Sequence, residues 1–201
     1  MRSVRIMLWS ATLVLAGLVA VLGYTYTRSG DQLAEAPFGV PFQLVKQDGS
    51  PISEKDLQGK PTAIFFGFTH CPDVCPTTLF EMDNWLKTVD PDGTKLQALF
   101  VTVDPERDTP AIMKDYVSNV TSRITGVSGD PAKVMDMVKG FRVYAKKVPT
   151  DPAKPDGDYV MDHTASVFLL DDQGRFAGTI AYQEDSKVAE TKLKNLITRN
   201  L

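Results

Sequence analysis

Residues 62–89 read TAIFFGF, then THCPDVC, then PTTLFEMDNWLKTV, and the change of texture along this run decides the fold. Thr62–Phe68 is apolar on both alternating faces, the pattern of a strand covered on both sides, as in the parallel sheets of α/β proteins. Pro76 then opens a helical pattern to about Val89, with Leu79, Met82, Leu86 and Val89 spaced i, i+3, i+7 and i+10. The irregular turn between them lies where the carboxyl end of a strand delivers residues to a ligand. It holds both cysteines of the 201-residue chain.

Working outward, Leu96–Val103 repeats the buried-strand texture and Pro110 opens a helix to about Val120. Asp130-Pro131 reads as the N-cap and first residue of a helix ending near Gly140. Phe42–Val45 followed by the turn Gln47–Ser50 predicts an N-terminal hairpin. Residues 145–162, rich in Pro, Asp and Lys, are expected to form a loop. Ser166–Leu170 and Phe176–Ala181 read as a hairpin across Asp171–Gly174, and Asp185–Arg199 as a closing amphipathic helix. After the first hairpin the order is β-α-β-α-α-β-β-α. It predicts an α/β, thioredoxin-like fold, a mixed sheet flanked by helices, parallel in its first half and antiparallel in its second.

The ends and the charge add context. Ile6–Tyr24 is a run of 19 residues without a charge, about 28 Å as a helix and long enough to span a bilayer's hydrocarbon core. Arg2 and Arg5 on its short side predict the N-terminus in the cytoplasm and the body outside; a short basic N-terminus without a transit-like presequence points to a bacterial inner membrane facing the periplasm, with an organellar inner membrane as the alternative. A cleaved signal peptide fits less well, because the A-x-A tripeptide Ala34-Glu35-Ala36 lies far beyond the apolar run. The expected organisation is an anchor at 1–27, a tether at 28–37 and one domain at 38–201. The net charge is −3, and Arg2, Arg5 and Arg28 are the only charges before Asp31, so residues 31–201 carry −6. That acidic balance argues against nucleic-acid binding. Two cysteines are too few for a disulfide scaffold and are left for chemistry.

A spacing of four lets the Cys71 and Cys75 sulfurs face one way if the turn is helical, and free N–H groups at a helix start favour thiolate. Packing as two small hydrophobes is the alternative, but Pro72 and Pro76 bracket an irregular loop. Asp162-His163-Thr164 precedes the strand from Ser166. A strand antiparallel to its neighbour begins at the edge where that neighbour ends, so His163 can lie beside the cysteines, although a histidine at such a junction is by itself an ordinary surface residue. Two thiolates and one imidazole suit Cu(I) better than structural zinc, which takes four protein ligands. His70 reads first as the end of the strand, then as a cation lowering a thiol pKa or a fourth ligand. Asp104-Pro105-Glu106-Arg107-Asp108 opens onto the same edge; it reads as a turn in which Asp108 or Thr109 caps the helix from Pro110, with partner docking as the functional alternative. Met82 and Met161 carry thioethers, and core packing suits Met82.

The runs GFTHCPDVCPTTL (67–79), VTVDPERDTP (101–110) and YVMDHTASVFLLDDQGRF (159–176) closely resemble the SCO/SenC family of membrane-anchored copper proteins required for cytochrome c oxidase assembly. The likeness covers about residues 38–199. It implies a thioredoxin-like fold in which Cys71, Cys75 and His163 bind one copper ion, Cu(I) or Cu(II), received from an upstream donor. It further implies a role in maturing the dinuclear copper (CuA) centre of oxidase subunit II. A thiol-disulfide oxidoreductase that reduces the acceptor's cysteines is the competing function. Its usual spacing is two residues rather than three, and His163-Thr164-Ala165-Ser166 lacks the proline expected before the antiparallel strand. A copper or redox sensor would use the same ligands. A thiol peroxidase would need Thr or Ser three residues before the reactive cysteine, where this chain has Phe68 before Cys71 and Pro72 before Cys75.

Overall fold

The computed structural model describes Trp9, residues 13–25 and residues 37–199. They belong to two units, divided between Ala36 and Pro37. In the first, residues 13–25 are helical (α1) and exposed throughout. No helix among the described residues is long and apolar enough to cross a membrane. Part of the expected span 6–24 and most of the expected tether lie outside the described residues.

The second unit is built on a seven-stranded sheet in the order β2-β1-β5-β4-β3-β8-β9. Its strands are β1 (Gln43–Lys46), β2 (Pro51–Ser53), β3 (Thr62–Gly67), β4 (Gln97–Thr102), β5 (Thr125–Ser128), β8 (Ser166–Leu170) and β9 (Phe176–Ala181). Strands β3, β4 and β5 run parallel, and β8 lies antiparallel to β3 with Phe65 opposite Val167. All six residues of β3 are buried, as the unbroken apolar run requires. The helices are α2 (Val74–Val89), α3 (Pro110–Ser118), α4 (Pro131–Gly140) and α5 (Ser186–Thr198). Asp130 and Asp185 cap α4 and α5 through their carboxylates, and Thr109 caps α3. Helix α2 buries Leu79, Met82 and Leu86, the stripe expected for it.

The structure corrects two expectations. The expected order omits β5, the third parallel strand, which lies between α3 and α4. It has four residues, one of them Gly126, too short for a periodic signal; at Gly126 an added Cβ would meet Gln47 Oε1 at 2.7 Å. Residues 145–162 form a loop only at 150–158: β6 (Ala145–Pro149) and β7 (Tyr159–His163) pair antiparallel as a separate two-stranded sheet. The only buried residue of this arm is Met161, so the hydrophobic alternation that marks a strand is absent from its sequence.

Candidate metal centre

The carboxyl ends of β3 and β4 and the start of β8 meet at one edge of the sheet. Beyond Gly67 the chain turns, with the Cys71 N–H donating to the Phe68 carbonyl at 3.3 Å, and enters α2. The N-cap residue, Asp73, gives the helix no side-chain cap. Instead the Cys75 N–H donates to Cys71 Sγ at 3.3 Å, so a sulfur takes one of the orphan donors of the first turn. Gly67 allows this packing. An added Cβ there would stand 2.8 Å from Cys75 Sγ and 2.8 Å from Phe100.

The two thiols are free and differently placed, Cys71 half-buried and Cys75 fully buried. The Cys75 thiol donating to its sulfur pulls the Cys71 pKa well down, against the opposing effect of burial, and His163 adds to the fall. Cys75 is pushed up, first by that same donation and then by burial. The more exposed position of Cys71 and the Cys75 N–H on its sulfur act in the same direction, favouring thiolate at Cys71 over Cys75.

His163, the last residue of β7, brings Nε2 to 3.8 Å from Cys75 Sγ. Its Nδ1 lies 3.1 Å from the Thr164 carbonyl. A carbonyl oxygen can only accept, which places a ring proton on Nδ1 and turns Nε2 toward the sulfurs. Phe65 and Phe68 stand edge-on to the ring, with centroids at 6.2 and 5.8 Å. A sulfur and a nitrogen sharing one tetrahedral ion at about 2.3 and 2.0 Å are separated by roughly 3.6 Å, close to the observed gap. Among the described residues no group of three or more His, Cys, Asp or Glu side chains is arranged to hold a metal ion.

The other candidates have different duties. The His70 ring is exposed and has its polar contacts with Thr69, 3.2 Å away, and Asp108, 4.0 Å away. Asp108 does not cap α3, a task left to Thr109. It is buried, and its carboxylate accepts from Thr69 N at 3.0 Å, Thr69 Oγ1 at 2.6 Å and Thr102 Oγ1 at 2.7 Å, tying the cysteine turn to β4. Burial raises its pKa, and the Thr69 and Thr102 donors oppose the rise. Asp104, also buried, pairs with Arg107 and accepts from Tyr159 Oη at 2.8 Å. Met82 and Met161 are both part of the apolar core. Tyr159 has no reading in the sequence, because a lone tyrosine in a polar stretch carries no local signal, and Arg107 figures there only as part of the Asp104–Asp108 turn.

Known proteins share this architecture. The SCO1/SenC family profile matches residues 30–198. The structure of Bradyrhizobium japonicum ScoI with copper bound is 50% identical, with a TM-score of 0.72 over 79% of this chain and 99% of that one. Yeast Sco1 with copper bound is 36% identical, with a TM-score of 0.73 over 83% and 91%. Protein SCO1, mitochondrial, of Saccharomyces cerevisiae is 38% identical over 156 residues, 77% of this chain and 52% of that protein. The chain spans about half the length of the first curated relatives it matches. A mixed sheet with a thiol pair and a histidine at one edge, a profile covering most of the chain and half-identity to a copper-bound ScoI agree: the chain belongs to the SCO1/SenC family.

Proposed function

We propose that this chain is a copper carrier for cytochrome c oxidase assembly, holding one copper ion between Cys71, Cys75 and His163. It takes the ion from an upstream donor and passes it by ligand exchange to the CuA thiolates of oxidase subunit II or a similar acceptor. Residues 1–27 anchor it in the inner membrane, N-terminus in the cytoplasm; 28–37 form the tether, and 38–201 are the copper-binding domain on the periplasmic side. The reading is carried by the approach of His163 Nε2 to within 3.8 Å of Cys75 Sγ, in a turn where Cys71 is the half-buried partner. Soft thiolates with one imidazole match Cu(I), which accepts low coordination. A half-exposed site at a sheet edge also suits release better than a closed four-ligand one. The test uses the full chain, purified reduced in mild detergent, against a chromophoric Cu(I) chelator. It should hold about one copper per chain and lose at least tenfold in affinity as His163→Ala. Undiminished binding in that variant overturns the site.

A second reading has its own observation: a half-buried thiolate at Cys71 against a buried, protonated Cys75 is the asymmetry of an attacking and a resolving thiol. It makes the chain a thiol-disulfide reductase of the acceptor's cysteines. Retained copper binding with loss of disulfide reduction in His163→Ala favours it over the carrier.

A further inference from the structure

The β6–β7 arm that carries His163 has no backbone ladder to the main sheet and buries only Met161. Met161, with Ala145 and Tyr159 packed against the core, is its apolar hold; the remaining contacts are polar. At its base the Tyr144 N–H donates to Thr164 Oγ1 at 3.1 Å, and the Thr164 N–H to the Tyr144 carbonyl at 3.0 Å. At the other end of β7 three kinds of contact meet on Tyr159. Its hydroxyl donates to Asp104 at 2.8 Å, its carbonyl accepts from Arg107 at 3.0 Å, and the Arg107 guanidinium lies 3.8 Å over its ring. Asp104 and Arg107 are themselves paired, and Lys147 of β6 reaches Glu106 of the same turn at 2.6 Å. Tyr159, Met161 and His163 alternate onto one face of the strand. Fixing residue 159 therefore fixes the rotation and height of residue 163, about 13 Å along a stiff strand.

We propose that Asp104, Arg107 and Tyr159 are positioning residues, a latch that holds the β6–β7 arm against the sheet edge and so keeps His163 within reach of the two sulfurs. The proposal rests on the copper-carrier reading. An unlatched arm leaves the cysteines where they are and withdraws the imidazole, so the latch sets the fraction of molecules presenting three donors rather than two, and apparent affinity falls in proportion.

Cu(I) affinity of the full chain tests this by chelator competition for Tyr159→Phe and Arg107→Lys, each alone and combined with His163→Ala. Tyr159→Phe removes one hydrogen bond to a carboxylate and keeps the ring; Arg107→Lys keeps the charge and loses the reach to the carbonyl. Each should weaken Cu(I) binding about three- to tenfold when His163 is present and change it less than twofold when His163 is already alanine. The Cu(II) absorption bands of Tyr159→Phe should shift in the direction that His163→Ala shifts them. Equal losses in both backgrounds, or no loss with His163 present, overturn the latch. Unchanged affinity in His163→Ala alone overturns the three-ligand site and the latch with it, which separates the two failures.

Discussion

Gly67→Ala makes a sharp test of how the cysteine turn is held. The added Cβ would lie 2.8 Å from Cys75 Sγ, 2.8 Å from Phe100 Cε2 and 3.2 Å from Phe65 Cε1. Ordinary contact begins near 3.4 Å, so the first two neighbours must each retreat by about 0.6 Å. Neither has room. The buried Phe100 ring is packed between Phe65 at 5.9 Å and Tyr116 at 5.8 Å, and the Cys75 sulfur is enclosed in the core. Overpacking of this kind costs about 1–3 kcal/mol. At about 2–4 °C per kcal/mol for a domain of this size, Tm should fall by about 2–12 °C in a circular-dichroism melt. Because the sulfur is one of the two atoms that must move, Cu(I) affinity should fall as well, on the carrier reading. A variant with Tm within 1 °C of the parent and unchanged copper affinity would refute the claim that Gly67 is required by the approach of Cys75.

Other perturbations separate the remaining forces. Iodoacetamide should alkylate Cys71 well before Cys75, with a pH midpoint below the ordinary thiol value of about 8.5, because Cys75 donates to its sulfur and is itself enclosed; peptide mapping showing equal rates would contradict this. Thr109→Ala removes the acceptor for the Ile112 N–H and should cost about 1 kcal/mol by urea titration. Asp90 is pushed up by burial but held below the ordinary carboxylate value overall by the N–H donors of Lys95, Leu96 and Thr94. A depressed folded pKa gives stability that is present above the unfolded value of about 3.9 and lost as pH falls through the folded one. Asp90→Asn should thus lower stability by about 1–3 kcal/mol at pH 7 and lose less than the parent between pH 4 and 2. Parallel pH profiles for the two would remove Asp90 from the account of acid sensitivity.

The legible parts of the chain are those where one segment alone carries its physics. The apolar run of β3, the stripe of α2 and the Asp-Pro start of α4 can each be read without knowing what they pack against. Cys71, Cys75 and His163 are traceable to a common edge because strand direction follows from the order of elements, and Cys75 Sγ and His163 Nε2 stand 3.8 Å apart across 88 residues. The arm is not legible. Its Lys146, Lys147 and Val148 are exposed and its strand pairing buries a single side chain, so composition favours a loop. The turn after β4 reads as a helix lead-in because Thr109 does cap. Its larger duty depends on Tyr159, which lies 55 residues from Asp104 and 52 from Arg107, and no local pattern predicts a contact of that range.

The donors of the proposed site are thereby held by forces of different strength. Cys75 belongs to α2, whose apolar stripe lies in the core, and separating that helix from the sheet amounts to global unfolding; Cys71 stands in the turn before it, held by the bond from its N–H to the Phe68 carbonyl and by the Cys75 N–H on its sulfur. His163 rides on an arm with one buried side chain, a two-bond base and a polar clasp at Tyr159. Releasing such an arm costs a few hydrogen bonds, each about 0.5–3 kcal/mol depending on charge, and the burial of Met161. Of the three, Cys75 is therefore the most firmly held, and His163 the one carried on a separate two-stranded arm. On the carrier reading, the Cys75 sulfur is the fixed point of the site and the imidazole the donor whose presence the arm adjusts.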